Sequence, residues 1–225
     1  MAPVIDHGET SSVTYHLNEL KIVQNVGDPR RLMPSAQEPR SSVLDIGCGI
    51  GQALTAPEFS ECFARCGIDI DASAIAYGRN AFPFLGLSVA RGEAIPFRKS
   101  YFDLVFSRVA LPYCNIAVAL PEIHRVLKPG GRLWVSLHTW EIEREQLLSA
   151  VRSMHPLRIV DRMYVILNGL IFAHTGHCYP RPWNGRIESF QTVRGFKCAL
   201  IKAGFQADSM QVRGRNFIVE AERLG

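Results

Sequence analysis

Residues 43–51, VLDIGCGIG, set three glycines directly behind a short apolar run. Main chain without side chains at that point constrains the fold more than any other feature. The first strand-to-helix turn is where an open α/β sheet receives its ligand. The occupant is a phosphate, some other cofactor, or nothing beyond a tight turn. The spacing argues against a phosphate. A dinucleotide turn needs G-x-G-x-x-G, whereas Gly47, Gly49 and Gly51 give G-x-G-x-G, with Gln52 in the place of the third fingerprint glycine. No Gly-Lys-Ser/Thr follows, as a phosphate loop requires. Asp45, just ahead of the turn, repels an anion and favours an ammonium.

Around this turn β-rich runs alternate with helical ones, the pattern of a parallel sheet covered by helices. Strands are predicted at 43–46, 65–70, 87–91, 102–107 and 132–138, and helices at 13–26, 72–81 and 118–127. Asp71 stands where a helix cap belongs. Pro121 leaves the start of the 118–127 helix open, since proline is comfortable in a first turn. The Lys128-Pro129-Gly130-Gly131 run ends that helix and turns the chain into the next strand. Beyond His138 come helices at 141–152, 158–173 and 189–203, with a Gly-, Pro- and His-rich loop at 174–185. Two final strands at 205–212 and 216–222 are joined at Arg213-Gly214-Arg215. So short a link makes them antiparallel, because a parallel crossover needs about a dozen residues. The fold class is therefore α/β, with a mostly parallel sheet and a reversed strand near one edge.

With 47% hydrophobic and 20% charged residues the chain has the means for a well-buried core, and disorder is expected only over the first dozen residues. The start, MAPVIDHGETSS, has no basic and apolar leader pattern, and no run spans a bilayer, so a cytoplasmic protein is expected. Its six cysteines are then expected as thiols. Cys62 and Cys66 are four apart, suited to one helix face, but further ligands are missing nearby and no metal site is assigned. The net charge of +4 is uneven: residues 1–143 carry 13 Lys+Arg against 15 Asp+Glu, and residues 144–225 carry 12 against 6. A basic final third suits an acidic substrate, a lipid surface or RNA. It lacks the basic blocks with interleaved aromatics that nucleic-acid grooves use.

Asp69 ends the second predicted strand, where a carboxylate accepts both hydroxyls of a ribose. Gly92-Glu93-Ala94 follows the third, where an adenine would then lie. The residues ask for an adenosine that carries an ammonium and no phosphates. Here the chain resembles the class I S-adenosylmethionine-dependent methyltransferases, of the methyltransferase type 11 kind. The resemblance is carried by VLDIGCGIG, GIDIDASAI, GEAIPF, FDLVFSRVALPY and EIHRVLKPGGRLWV, in the family's order over residues 42–137. It implies a Rossmann-like, doubly wound sheet with helices on both faces and an antiparallel last strand. It implies S-adenosyl-L-methionine as cofactor. The 47–51 turn, Cys48 included, would cradle the methionine part, with Asp45 near its amino group. Asp69 would take the ribose, Ile70 would pack on the adenine, and Glu93 with Ala94 would hold the adenine edge. Ser107 and Arg108 would line the sulfonium side.

Methyl transfer to a hydroxyl or carbon needs a proton acceptor, for which histidine is the commonest. His138 follows the fifth strand and His16 lies on the leading helix, so these are the candidate catalytic residues; His174 and His177 lie in the loop. The chain divides into a leading segment and cover helix (1–41), a cofactor-binding core (42–139), an inserted helical region (140–188) and a closing helix and strand pair (189–225). The insertion is expected to choose the substrate. Its apolar helix, with Tyr164, Ile166, Leu170 and Phe172, suits a lid, a core helix or a dimer contact equally. Arg181, Pro182 and Trp183 suggest a loop for an anion or a sugar. Ala110-Leu111-Pro112-Tyr113 departs from the Asn/Asp-Pro-Pro-Tyr/Phe marker of amide and adenine methylation. The expected acceptor is a small molecule, apolar or anionic, at an O, N or C atom. The rivals are a non-catalytic S-adenosylmethionine-binding module, an RNA methyltransferase and an NAD-type oxidoreductase.

Overall fold

The computed structural model describes residues 12–35, 37–213 and 216–225. The disorder expected over residues 1–12 lies outside them except at Ser12, which begins a helix, and the link expected at 213–215 lies outside them at 214 and 215. In chain order the elements are α1 (Ser12–Gln24), β1 (Ser42–Ile46), β2 (Ala64–Asp69), α2 (Ala72–Ala81), β3 (Gly86–Val89), β4 (Phe102–Arg108), α3 (Ile116–Val126), β5 (Leu127–His138), α4 (Trp140–Arg152), α5 (Pro156–Thr175), α6 (Val193–Lys202), β6 (Phe205–Arg213) and β7 (Asn216–Arg223). The sheet runs β3-β2-β1-β4-β5-β7-β6. Only β7 is reversed, antiparallel to both β5 and β6. From β1 the chain winds outward through β2 and β3, then returns to place β4 on the other side of β1. That reversal opens a crevice at the carboxyl ends of β1 and β4, which is where the glycines sit.

Alternation along each central strand fills two cores. Leu44, Val105, Leu133 and Val135 point to one face, where Ile116, Leu120 and Ile123 of α3 and Phe196 and Leu200 of α6 cover them. Val43, Leu104, Phe106 and Trp134 point to the other, against Val23 of α1, Leu54, Phe59 and Ile75 of α2. Period-two side chains on a sheet covered on both sides explain why β1 is buried at all five positions.

Several local expectations change. The Lys128–Gly131 run does not precede the fifth strand but bulges within it. Leu127 already pairs with Phe102, and the register then jumps to Leu104 with Arg132. Lys128 is held there because its Nζ donates to both carboxylate oxygens of Asp103 at 2.8 Å. Pro121 lies inside α3, not in its first turn. Burial of Ile116, Ala119, Leu120, Ile123 and Val126 on one helix face outweighs the missing N–H, which costs about 3 kcal/mol. The helix expected from Ser189 starts at Val193, because the Thr192 hydroxyl caps the Gly195 N–H at 3.1 Å. Cys62 and Cys66 share no helix face, since Cys66 is within β2 and Cys62 lies in the turn before it. Asp71 is the cap of α2, its Oδ1 accepting from the N–H groups of Ser73 and Ala74.

Gly78 shows packing overruling helix propensity. A Cβ there would lie 2.4 Å from the Ile50 carbonyl oxygen and 2.7 Å from Leu87 Cδ1. Gly78→Ala, which helix propensity alone would favour, is expected to destabilise the fold by about 1–3 kcal/mol in urea unfolding.

Candidate functional site

The turn after β1 is held open by three left-handed glycines, Gly47, Gly49 and Gly51, at φ 78°, 55° and 85°. Neighbours crowd each of them. A Cβ would come within 2.2 Å of the Ala110 Cβ at Gly47, 2.3 Å of the His16 ring at Gly49 and 2.8 Å of Leu85 at Gly51. The Gly47 and Cys48 N–H groups both donate to the Ile68 carbonyl, at 2.8 and 3.0 Å, tying the turn to β2. Cys48 offers the crevice main chain only. Its side chain is fully buried against Gly67, in the core that holds Val43 and Phe106, and burial holds the thiol well above its usual range.

Asp45 is 2% exposed and its Oδ1 has no hydrogen-bond partner. Burial raises its pKa to about 8, against the pull of Arg108 and with the help of the Asp69 charge. On the far side of the turn, the Gln52 Oε1 is likewise buried and unpartnered. Two orphaned acceptors around a bare main chain ask for a compact donor.

Asp69 lies at the tip of β2, but both its oxygens are already engaged. Oδ2 accepts from the Gly49 N–H at 2.8 Å and Oδ1 from the Asp71 N–H at 2.9 Å. A carboxylate has about four acceptor positions, so two remain for other donors while the backbone fixes its orientation. Ile70 beside it is 73% exposed, an apolar platform at the strand end. Glu93 does not point free: its Oε1 accepts from the Asn115 N–H at 2.7 Å, joining the β3–β4 loop to the start of α3. Ala94 is exposed in the same loop, its N–H on the Arg91 carbonyl.

At the tip of β4, Ser107 is buried and its hydroxyl donates to the Ile46 carbonyl at 2.9 Å, so it fastens β4 to β1. Arg108 pairs with Glu19 of α1 at 3.0 Å. The next residue, Val109, has φ 62°, costly for a β-branched side chain. That strained step presses Ala110 onto Gly47. The leading helix covers the turn: His16 packs on Gly49, its Nδ1 is 3.2 Å from Gln52 Nε2, and Tyr15 meets its ring edge-on. Burial lowers the His16 pKa against the opposing pull of Asp69, Asp71 and Glu19. His138 ends β5 half-buried, opposite Asn216 and two residues beyond Ser136, the register partner of Arg108. His174 and His177 lie exposed at the far end of α5 and just after it.

A second charged group lies on the 140–188 side. Arg162 of α5 reaches Glu143 of α4 at 3.4 Å, Glu188 at 3.1 Å and Asp161 at 2.5 Å. Arg181 pairs with Asp161 and Glu188 and stacks on Tyr164. Its guanidinium is therefore committed to carboxylates inside the protein, which corrects the expectation of an anion-binding loop there. Three carboxylates face two guanidiniums. Burial raises the pKa of Glu143 to about 7, opposed by Arg162 and reinforced by Glu188 and Asp161. Tyr113 lies within electrostatic reach of this group. Its phenol pKa is raised by burial and by Glu188 and Glu143, and the Ser189 N–H bonds the Pro112 carbonyl beside it at 3.1 Å. Val109 and Tyr113 lie in stretches the sequence singled out, but not for these roles; Glu143 had no sequence signal, and Glu19 only the three-residue spacing that puts it on the His16 face.

Residues 44–135 match the family model described as a methyltransferase domain. A malonyl-[acyl-carrier protein] O-methyltransferase of Herminiimonas arsenicoxydans is 35% identical over 112 residues, 48% of this chain and 41% of that protein. A sterol 4-C-methyltransferase of Caenorhabditis elegans is 34% identical over 100 residues, 41% of this chain and 29% of its own length. The matched stretch thus spans less than half of these curated relatives. Among solved structures, an S-adenosylmethionine-dependent methyltransferase from Mesorhizobium loti superposes with a TM-score of 0.59 at 17% identity, over 95% of this chain and 99% of that one. One from Methanosarcina mazei gives 0.57 at 20% identity over 84% and 94%. At such identities these two speak for the fold.

The orphaned Asp45 and Gln52 oxygens and the glycine cradle fit the ammonium end of S-adenosylmethionine, and the open acceptor positions of Asp69 beside Ile70 fit its nucleoside end. Asp45 then has to ionise as the ammonium arrives. S-adenosylhomocysteine binding at pH 7 is expected to release close to one proton, and Asp45→Asn to abolish that release; titration calorimetry in buffers of differing ionisation enthalpy measures it. Its affinity should also rise with pH up to about 8. For Glu143, the folded protein keeps between pH 4.5 and about 7 a proton that the unfolded chain has lost. Stability therefore falls as pH rises through that window, and Glu143→Gln should flatten the fall in thermal melts across it.

Proposed function

We propose that this chain, whose residues 44–135 match the methyltransferase-domain family model, is a class I S-adenosylmethionine-dependent methyltransferase that moves a methyl group to an O, N or C atom of a small-molecule acceptor. The observation that carries the reading is the buried, unpartnered Asp45 carboxylate beside a turn that excludes side chains. A diphosphate at this place would face a carboxylate; an amino-acid ammonium would satisfy it. The curated relatives support the breadth of the acceptor statement, since one is named for transfer to oxygen and the other for transfer to carbon.

When bound, S-adenosylmethionine supplies a methyl carbon activated by its sulfonium. The chain's own work is placement and exclusion of water. Asp45 and the 47–51 turn hold the amino-acid end, Asp69 the ribose hydroxyls, and Ile70 with Ala94 the adenine, while Glu93 steadies that loop through Asn115. Glu19 neutralises Arg108, which would otherwise repel a sulfonium at the β4 tip. His16 packs on the glycine turn and so closes it; His138 and the Tyr113–Glu143 group lie toward the inserted helices. Of the two histidines, His138 is the better placed to take an acceptor proton at its imidazole nitrogen. Residues 140–188 form the acceptor wall.

Incubation with radiolabelled S-adenosylmethionine and a cell extract split into low-mass and macromolecular fractions tests this. Label is expected in the low-mass fraction. Label confined to RNA or protein, or none while S-adenosylhomocysteine still binds, would refute the acceptor or the activity. Asp69→Ala should weaken S-adenosylhomocysteine at least about tenfold, ~1.4 kcal/mol, in calorimetry, and NAD should not bind.

A further inference from the structure

Away from the glycine turn, α3, α6 and the end of α5 enclose a cavity of about 190 Å³ that opens to solvent. It shares no residue with the crevice at 47–51. Its floor is apolar: Ile116, Leu120 and Pro121 of α3 face Ala199 and Ala203 at the end of α6. Small side chains make the room. Alanines stand at Ala117, Ala199 and Ala203, where larger residues would fill the space between two packed helices. Liquid water takes about 30 Å³ per molecule, so the cavity equals roughly six waters. A small organic molecule fills it, whereas a drug-sized ligand or a partner helix does not fit.

One end of the cavity is cationic. Lys202 and His177 stand on its rim, and no lining residue is acidic. The Lys202 ammonium lies over Gly176, 3.6 Å from where a Cβ would be, at the carbonyl end of α5. Partial charges there hold the ammonium in place without neutralising it. Among the described residues no carboxylate pairs with Lys202 or with the His177 ring. The main chain fixes His177 beside it. Its N–H donates to the Thr175 hydroxyl at 3.1 Å, which donates in turn to the Ile171 carbonyl at 2.9 Å. We propose that this cavity binds a small monocarboxylate with a short apolar chain, the charged end at Lys202 and His177 and the chain between α3 and α6. Inorganic phosphate has no apolar part for the floor to cover. A neutral hydrocarbon leaves the ammonium nothing to pair with.

Titration calorimetry of the full chain with hexanoate tests this. For so small a ligand a dissociation constant of about 1 mM or below is expected. It should tighten up to about fourfold for each methylene added from butanoate to hexanoate. Lys202→Gln should weaken hexanoate about fivefold, and Ala117→Phe, which fills the cavity, should abolish its binding. Both positions are at least partly exposed, and unchanged thermal melts show that the variants are folded. Saturating S-adenosylhomocysteine should leave hexanoate affinity unchanged, since the two sites share no residue. No binding at ten times that concentration, or binding indifferent to either substitution, would overturn the proposal. So would hexanamide or inorganic phosphate binding as tightly as hexanoate, or displacement of hexanoate by S-adenosylhomocysteine.

Discussion

Between β1 and the residues that follow it, the main chain passes so close to three neighbours that no side chain fits at Gly47, Gly49 or Gly51. The rest of the molecule is arranged around that passage. The Ile68 carbonyl of β2 takes two of its N–H groups and Asp69 takes a third, so β1 and β2 are locked at their tips. The strained Val109 step sets Ala110 against it from β4, and α1 lays His16 over the top. Three strands and one helix thus converge on five residues of backbone, which makes the crevice rigid there.

Three acids near this crevice are treated differently, and the difference divides the labour. Asp69 is held by backbone donors and stays oriented. Asp45 is buried without a donor, so it is poised to exchange a proton for a cation. Glu143 is one carboxylate too many in a group with two guanidiniums, and it holds its proton to near neutrality. The first two flank the glycine turn at the tips of β1 and β2. The third lies on α4, in electrostatic reach of Tyr113.

The glycine turn was legible because its signals are local. Glycines with required positive φ, an acid at the tip of β2 and a cap at Asp71 are all decided within a few residues of chain. Cys48 and Ser107 show the limit of such reading. Both stand in the right place along the chain, yet a strand tip sends alternate side chains to opposite faces, and these two point into the core and into the β1–β4 seam. Arg181 failed for another reason: a guanidinium next to proline and tryptophan looks like a binding loop until Asp161 and Glu188, distant in sequence, are seen to claim it.

The amino-acid order by itself determined that the sheet is parallel until its last pair and that its first turn is bare. These follow from steric and turn rules that act between near neighbours. Only the tertiary structure decided that Pro121 sits within a helix, that Lys128–Gly131 bulges inside a strand, and that Arg108 and Glu19, 89 residues apart, form one ion pair. Those outcomes rest on burial and charge pairing between distant segments, energies that no local pattern carries.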